Sequence, residues 1–247
     1  LETWILFLDL VKAFDRVPLE LLWGILLRKG VPVKIVNLLK ALHATVKVKF
    51  DVDGITRTLL QIIGVKQGDV LGPDLFTFYI GAIMESWRNT HEYDLPLFKT
   101  KSDFKLSGRS CTARGESMAI DDSEYADDTG LFFCDRATVD DQVPQVYEHF
   151  DDWGMEVHSG IYDDNGGVKK ASKTNMTFFS KPASCYTNGN TFDDADLSDV
   201  KLPDGRFVDF VKKFPYLGSW ISEKCGDGDD VESRIGAASR AFGASWQ

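Results

Sequence analysis

Tyr125-Ala126-Asp127-Asp128 follows an apolar approach and leads into the apolar run Leu131-Phe132-Phe133. The pattern predicts a buried β-hairpin with two adjacent carboxylates at its tip. Far upstream, a second apolar strand, Trp4-Ile5-Leu6-Phe7-Leu8, delivers Asp9 into the same kind of setting. Burying an ionised group without a partner costs several kcal/mol. Two acids about 4 Å apart repel by roughly 4 kcal/mol at an effective dielectric near 20. Three carboxylates on core strand ends are therefore most simply read as holding divalent cations. Hard oxygen donors of this kind suit Mg²⁺, which takes one or two carboxylates together with substrate phosphates.

The flanking residues indicate which metal chemistry to expect. Five stretches, in order, resemble the polymerase motifs of reverse transcriptases, in the form found in non-LTR (LINE-like) retrotransposons and group II intron proteins. Phe7-Leu8-Asp9-Leu10-Val11-Lys12-Ala13-Phe14-Asp15 resembles the first. Gly64-Val65-Lys66-Gln67-Gly68-Asp69-Val70-Leu71-Gly72-Pro73 with Leu75-Phe76 resembles the second, and Tyr125 to Asp128 the third. Trp153-Gly154-Met155-Glu156-Val157 with Lys173-Thr174 is similar to the fourth. Phe214-Pro215-Tyr216-Leu217-Gly218 with Ile221-Ser222 is similar to the fifth, the primer grip. The chain departs from the family at Gly72, where a Ser usually precedes the proline.

The resemblance implies an RNA-directed DNA polymerase of a transposable element. A primer 3′-hydroxyl attacks the α-phosphate of a dNTP, with two Mg²⁺ ions (Mn²⁺ as an alternative) stabilising the attacking and leaving oxygens. It implies metal ligation by Asp9, Asp127 and Asp128, with the Leu10 carbonyl as an extra ligand. Phe14 would be the ring that excludes a 2′-hydroxyl; Gln67, Gly68 and Tyr125 would contact the nucleotide and templating pair. Lys173 would protonate the leaving pyrophosphate, with Lys169, Lys170 and Lys181 as competitors. Tyr216, Leu217 and Gly218 would hold the primer terminus. The partners implied are an RNA template, a DNA primer and dNTP, together with fingers, thumb and endonuclease domains of a longer polyprotein. Asp15 reads instead as an N-cap or an ion-pair partner of Arg16. A catalytically silent descendant serving as a scaffold is the rival from another class. An RNA polymerase with a related palm explains the paired acids, but Ala13-Phe14 and Phe214 to Gly218 poorly.

Composition narrows the field. Of 247 residues, 43% are hydrophobic, which is globular, and no stretch approaches the ~20 apolar residues of a membrane span. There is no signal-peptide pattern, so a nuclear or cytoplasmic setting is expected. Cys111, Cys134, Cys185 and Cys225 are far apart, which argues against zinc or a disulfide framework. The net charge of −10 sits badly with nucleic-acid binding. Residues 1–50, however, carry eight Lys and Arg against four Asp and Glu, a net of +4, so residues 51–247 carry −14.

The pattern of elements predicts an α+β fold: a reverse-transcriptase-like palm, an antiparallel sheet backed by helices, with truncated fingers and the start of a thumb. The palm spans residues 1–222, with insertions near 89–116 and 184–203; residues 223–247 begin a thumb helix. Helices are expected from Pro18 to Gly30, from Pro32, from Pro73, and from Thr138 as a cap through Trp153. Val46 to Ile63 reads as a hairpin around Asp53-Gly54. Residues 159–172 read as a Gly/Asp/Lys loop, Met176 to Ser180 as a strand, and Phe207 to Ser222 as two or three more strands.

Overall fold

The structure, a computed structural model, describes residues 3–44, 47–53, 55–60, 63–66, 68–99, 117–126, 128–163, 165–179, 197–222 and 228–244. Strand β1 (Thr3–Leu8) leads through the single turn α1 (Ala13–Arg16) into helices α2 (Leu19–Arg28) and α3 (Val33–His43). A hairpin, β2 (Lys47–Val52) and β3 (Ile55–Leu60), precedes the long helix α4 (Gly72–Thr90). β4 (Leu97–Lys99) pairs with β5 (Ser117–Ala119), and β6 (Asp122–Tyr125) with β7 (Asp128–Phe133), before helix α5 (Arg136–Asp152). The rest is β8 (Gly160–Tyr162), β9 (Val168–Lys170), β10 (Asn175–Phe179), β11 (Val200–Lys201), β12 (Arg206–Phe210), β13 (Lys213–Tyr216), β14 (Ser219–Ser222) and helix α6 (Gly228–Ala244).

The result is a mixed α/β fold around an eight-stranded sheet in the order β6-β7-β1-β10-β12-β8-β9, with β11 also paired to β12. β1 lies inside it, and all six of its residues are buried. Such a strand must be apolar on both faces, and Trp4 to Leu8 is a continuous apolar run rather than an alternating one. Trp4, Leu6 and Leu8 join the core with Leu131, Phe133, Met176 and Phe178 and with the apolar stripes of the helices. On α4 that stripe is Leu75, Phe76, Tyr79, Ile80, Ile83, Met84 and Trp87, recurring every three or four residues. Ile5 and Phe7 point to the opposite face, where Phe7 stacks on Phe214 at 4.3 Å and lies 5.1 Å from Tyr216. No described helix is long and apolar enough to cross a membrane.

Several local expectations are corrected. The sheet is not wholly antiparallel, because β10 and β12 run parallel, Asn175 opposite Asp209. Residues 159–172 are not a loop: β8 and β9 form a hairpin that extends the sheet beyond β12. The cap of α5 is Asp135, whose carboxylate accepts the Thr138 N–H at 2.8 Å, so Thr138 is already inside the helix. Pro18 stands just before α2 rather than within it. Arg16 pairs with Glu156 rather than with Asp15.

Candidate active site

β1 and β7 run antiparallel, Phe7 opposite Gly130 and Leu8 opposite Thr129. One step further on this register brings Asp9 level with Asp128. Strand alternation turns both carboxylates toward the Phe7 face, away from the helical core. Opposed residues of such a pair lie with Cα atoms about 4.5–5.5 Å apart. Tyr125 pairs with Asp128 across the hairpin turn that Ala126 begins. Asp127 itself lies outside the described residues. Ala126 takes a left-handed conformation, φ 56°, as tight two-residue hairpins require. For an L-residue with a Cβ this costs about 1–2 kcal/mol. Tyr125 and Asp128 are exposed and Asp9 is half-buried. Two hard carboxylates on adjacent strand ends fit a hard divalent cation. Among the described residues no group of three or more His, Cys, Asp or Glu is placed to hold a metal ion.

Both backbone groups of Asp9 are held. Its N–H donates to the Thr174 hydroxyl at 3.1 Å, and its C=O accepts the His158 N–H at 2.8 Å. Leu10 bridges Val157, but the bonds of that bridge run from His158 to Asp9 and from the Val11 N–H to the Glu156 carbonyl at 2.8 Å. The Leu10 carbonyl, the expected extra ligand, is used by neither. Lys173 is exposed, and its N–H donates to Nδ1 of His158 at 3.1 Å. Burial, with Lys170 beside it, holds the His158 imidazole below its usual range, against the pull of Asp9. Thr174 and His158 are therefore residues of this site to which the sequence analysis gave no role. The only signal available was the adjacency of Thr174 to Lys173.

Phe14 packs its ring on Phe76 of α4, centroids 4.5 Å apart and nearly parallel. Its turn is locked to the start of the second motif: the Val65 N–H donates to the Phe14 carbonyl at 2.7 Å, and the Gly64 N–H to that of Val17 at 2.9 Å. Gly68 is exposed with φ 83°, and Gln67 lies outside the described residues. The departure at Gly72 has a local cause: a Cβ there would stand 2.7 Å from the Lys66 carbonyl oxygen. The loop has closed onto α4 in a way only glycine permits.

β13 and β14 form a hairpin whose turn residues, Leu217 (φ 50°) and Gly218 (φ 78°), are both left-handed. It rests on the open face of the sheet through Phe214 and Tyr216 over Phe7, and the Tyr216 and Ser123 hydroxyls are 3.4 Å apart. Tyr216, of the primer-grip candidates, therefore lies on the Phe7 face of the sheet. α6 is fastened to the hairpin: the Trp220 N–H donates to Asp230 at 3.0 Å, and the Trp220 indole N–H to the Ser233 hydroxyl at 2.8 Å.

β6, the edge strand that carries the acidic hairpin, is tied to α4 by Arg88. Its guanidinium lies 2.6 Å from Asp122, 3.7 Å from Glu124 and 3.8 Å from Asp121. Burial, with the neighbouring Asp121 and Glu124, pushes the Asp122 carboxyl up to about 7, and the Arg88 ion pair opposes this without prevailing. Between pH 4 and 7 the folded chain thus retains a proton that the unfolded chain has released, and stability falls as pH rises through that window. Asp122→Asn is expected to flatten the fall, seen as a smaller drop in Tm from pH 5 to pH 8. An unchanged drop would assign it to other groups.

Residues 1–160 match the model of a family described as reverse transcriptase (RNA-dependent DNA polymerase). No curated protein matches the chain. The matched stretch contains Asp9, Phe14, the 64–73 loop, the 125–128 hairpin and His158. Lys173, Thr174 and the β13–β14 hairpin lie beyond it.

Proposed function

The chain belongs to the reverse transcriptase (RNA-dependent DNA polymerase) family, and from that premise we propose that it is the palm of an RNA-directed DNA polymerase of a non-LTR, LINE-like retroelement. Its main support is the strand register, which extended one step beyond Leu8 and Thr129 puts Asp9 level with Asp128, on the face where Tyr216 packs on Phe7. Asp9, Asp127 and Asp128 would hold Mg²⁺, with Mn²⁺ as a substitute. When bound, a pair of such ions supplies the positive charge that offsets the attacking and leaving oxygens in nucleotidyl transfer.

The remaining steps belong to the protein's own groups. Phe14, backed by Phe76, walls the sugar site and leaves no room for a 2′-hydroxyl. Gln67 and Gly68 bear on the templating pair, with Gly68 allowing close backbone approach. Tyr216, Leu217 and Gly218 orient the primer end. Lys173 carries a proton at Nζ for the departing pyrophosphate, a role that contributes about 10²–10⁴-fold where a general acid operates. No specific observation favours the silent-scaffold reading.

The test is extension of a DNA primer on an RNA template with dNTP and Mg²⁺. Incorporation that depends on template and metal supports the proposal, and its absence with both Mg²⁺ and Mn²⁺ overturns it. Phe14→Val is expected to raise ribonucleotide use relative to dNTP by about tenfold or more, the scale on which a pocket of altered size discriminates. Unchanged discrimination would remove Phe14 from the sugar site.

A further inference from the structure

Between the two halves of the fourth motif-like stretch, the chain makes the β8–β9 hairpin, in which Ile161 stands opposite Lys170. Counting three residues back on one strand and three forward on the other brings His158 opposite Lys173. At that level the two strands have parted, and the link between them is the His158 side chain, whose Nδ1 accepts the Lys173 N–H at 3.1 Å. A ring nitrogen that accepts a backbone N–H has its proton on Nε2, so this bond sets the tautomer.

The surroundings are laced to the same point. The His158 N–H donates to the Asp9 carbonyl at 2.8 Å, and its carbonyl accepts the Tyr147 hydroxyl at 3.0 Å. On the returning strand, the Ser172 N–H donates to Asp209 at 3.2 Å and the Ser172 hydroxyl to the Thr174 carbonyl at 2.6 Å. Thr174, fully buried, accepts the Asp9 N–H. The hairpin's lateral fastening is thus transmitted to Asp9 through two residues, His158 and Thr174. Of these two, His158 also takes the Lys173 N–H, while the Lys173 carbonyl accepts from the Asn175 side-chain amide at 2.7 Å.

We infer that His158 is a positioning residue, whose Nδ1 replaces a missing ladder bond at the base of the β8–β9 hairpin and so holds Lys173 at a fixed place beside Asp9. The inference rests on the polymerase reading for its catalytic consequence, but not for the bond itself.

Three variants separate the atoms. In His158→Asn the side-chain oxygen stands close to the position of Nδ1 and keeps an acceptor there. In His158→Gln the acceptor lies one bond further out, and His158→Leu has none. Amide hydrogen exchange at Lys173 reads the bond with no need of activity. The Lys173 amide should stay protected in His158→Asn and exchange at least tenfold faster in His158→Leu, with Gln nearer to Leu. In primer extension, His158→Leu should lower kcat about tenfold at nearly constant KM for dNTP, and His158→Asn should restore it. In a Lys173→Ala background, His158→Leu should cause no further loss, because a residue acting through another has nothing left to act on. Unchanged Lys173 protection in His158→Leu, an Asn variant as impaired as Leu, or additive losses with Lys173→Ala would each overturn the inference. A protein inactive before any substitution would count against the polymerase reading alone, and the exchange measurement would still decide the role of His158.

Discussion

Asp9→Asn is expected to lose primer extension by at least about a thousandfold, or roughly 4 kcal/mol of transition-state stabilisation, while the folded protein becomes slightly more stable. The two effects have one origin. The register, extended one step beyond Leu8 opposite Thr129, sets Asp9 level with Asp128. Like charges directly opposed across strands are destabilising, on a scale of about 0.2–1 kcal/mol for such pairs. Removing one charge should therefore raise Tm in metal-free buffer by about 2 °C, given that 1 kcal/mol moves a domain of this size by about 2–4 °C. A cation binding the folded state at a hundred times its Kd adds about 2.7 kcal/mol, and Asp9→Asn should forfeit most of that gain with Mg²⁺. Three readouts must thus move together: activity down, metal-free Tm up, and the Mg²⁺-induced rise in Tm lost. An Asn variant that keeps more than a tenth of the activity would displace Asp9 from the chemistry. A lower metal-free Tm would show that the two carboxylates do not oppose each other.

The parts of this site that could be read from the sequence are those in which neighbouring residues carry the signal. Trp4 to Leu8 is apolar at every position because β1 is covered on both faces, so its burial and the placing of Asp9 at its end follow from composition alone. The hairpin that brings Tyr125 opposite Asp128 and the stripe on α4 are equally local. What escaped depends on partners distant in the chain. β12 lies parallel to β10, a pairing that no pattern within Arg206 to Phe210 reveals. The β8–β9 hairpin looked like a loop because Asp and Gly dominate it, and its strands are three residues each, at the end of the sheet. Arg16 has Asp15 as its neighbour but finds Glu156, 140 residues on. His158 belongs to no constellation in sequence; its role exists only once Asp9 and Lys173 have been brought to it from either side. Nor could charge counting find Arg88, whose three acidic neighbours lie more than 30 residues downstream.

The same dependence on distant partners makes Gly64 the position where a single methyl group should do most harm. Gly64 has φ 89°, and a Cβ built there meets the Asp15 backbone, 2.6 Å from its carbonyl oxygen and 2.8 Å from its Cα. Neither atom belongs to a flexible side chain that could swing away, so the 64–65 segment must withdraw. Withdrawal would cost the bonds from Gly64 to Val17 and from Val65 to Phe14, and would expose Val65, which is fully buried. Strain at a disallowed φ costs on the order of 1–3 kcal/mol, and the lost docking adds to it. Gly64→Ala is therefore expected to destabilise by about 3–4 kcal/mol, a fall in Tm of roughly 6–16 °C for a domain of this size. Gly30 supplies the control, because its φ is also 89° and nothing lies within 4 Å of an added Cβ. Gly30→Ala should cost only the conformational strain, so the difference between the two variants isolates the contact with the Phe14 turn. Whatever fraction of Gly64→Ala folds should also accept ribonucleotides more readily, since Phe14 is held over Phe76 by the bond that Val65 makes. Equal destabilisation of the two variants, measured by denaturant unfolding, would mean that the second motif does not dock on the first through Gly64.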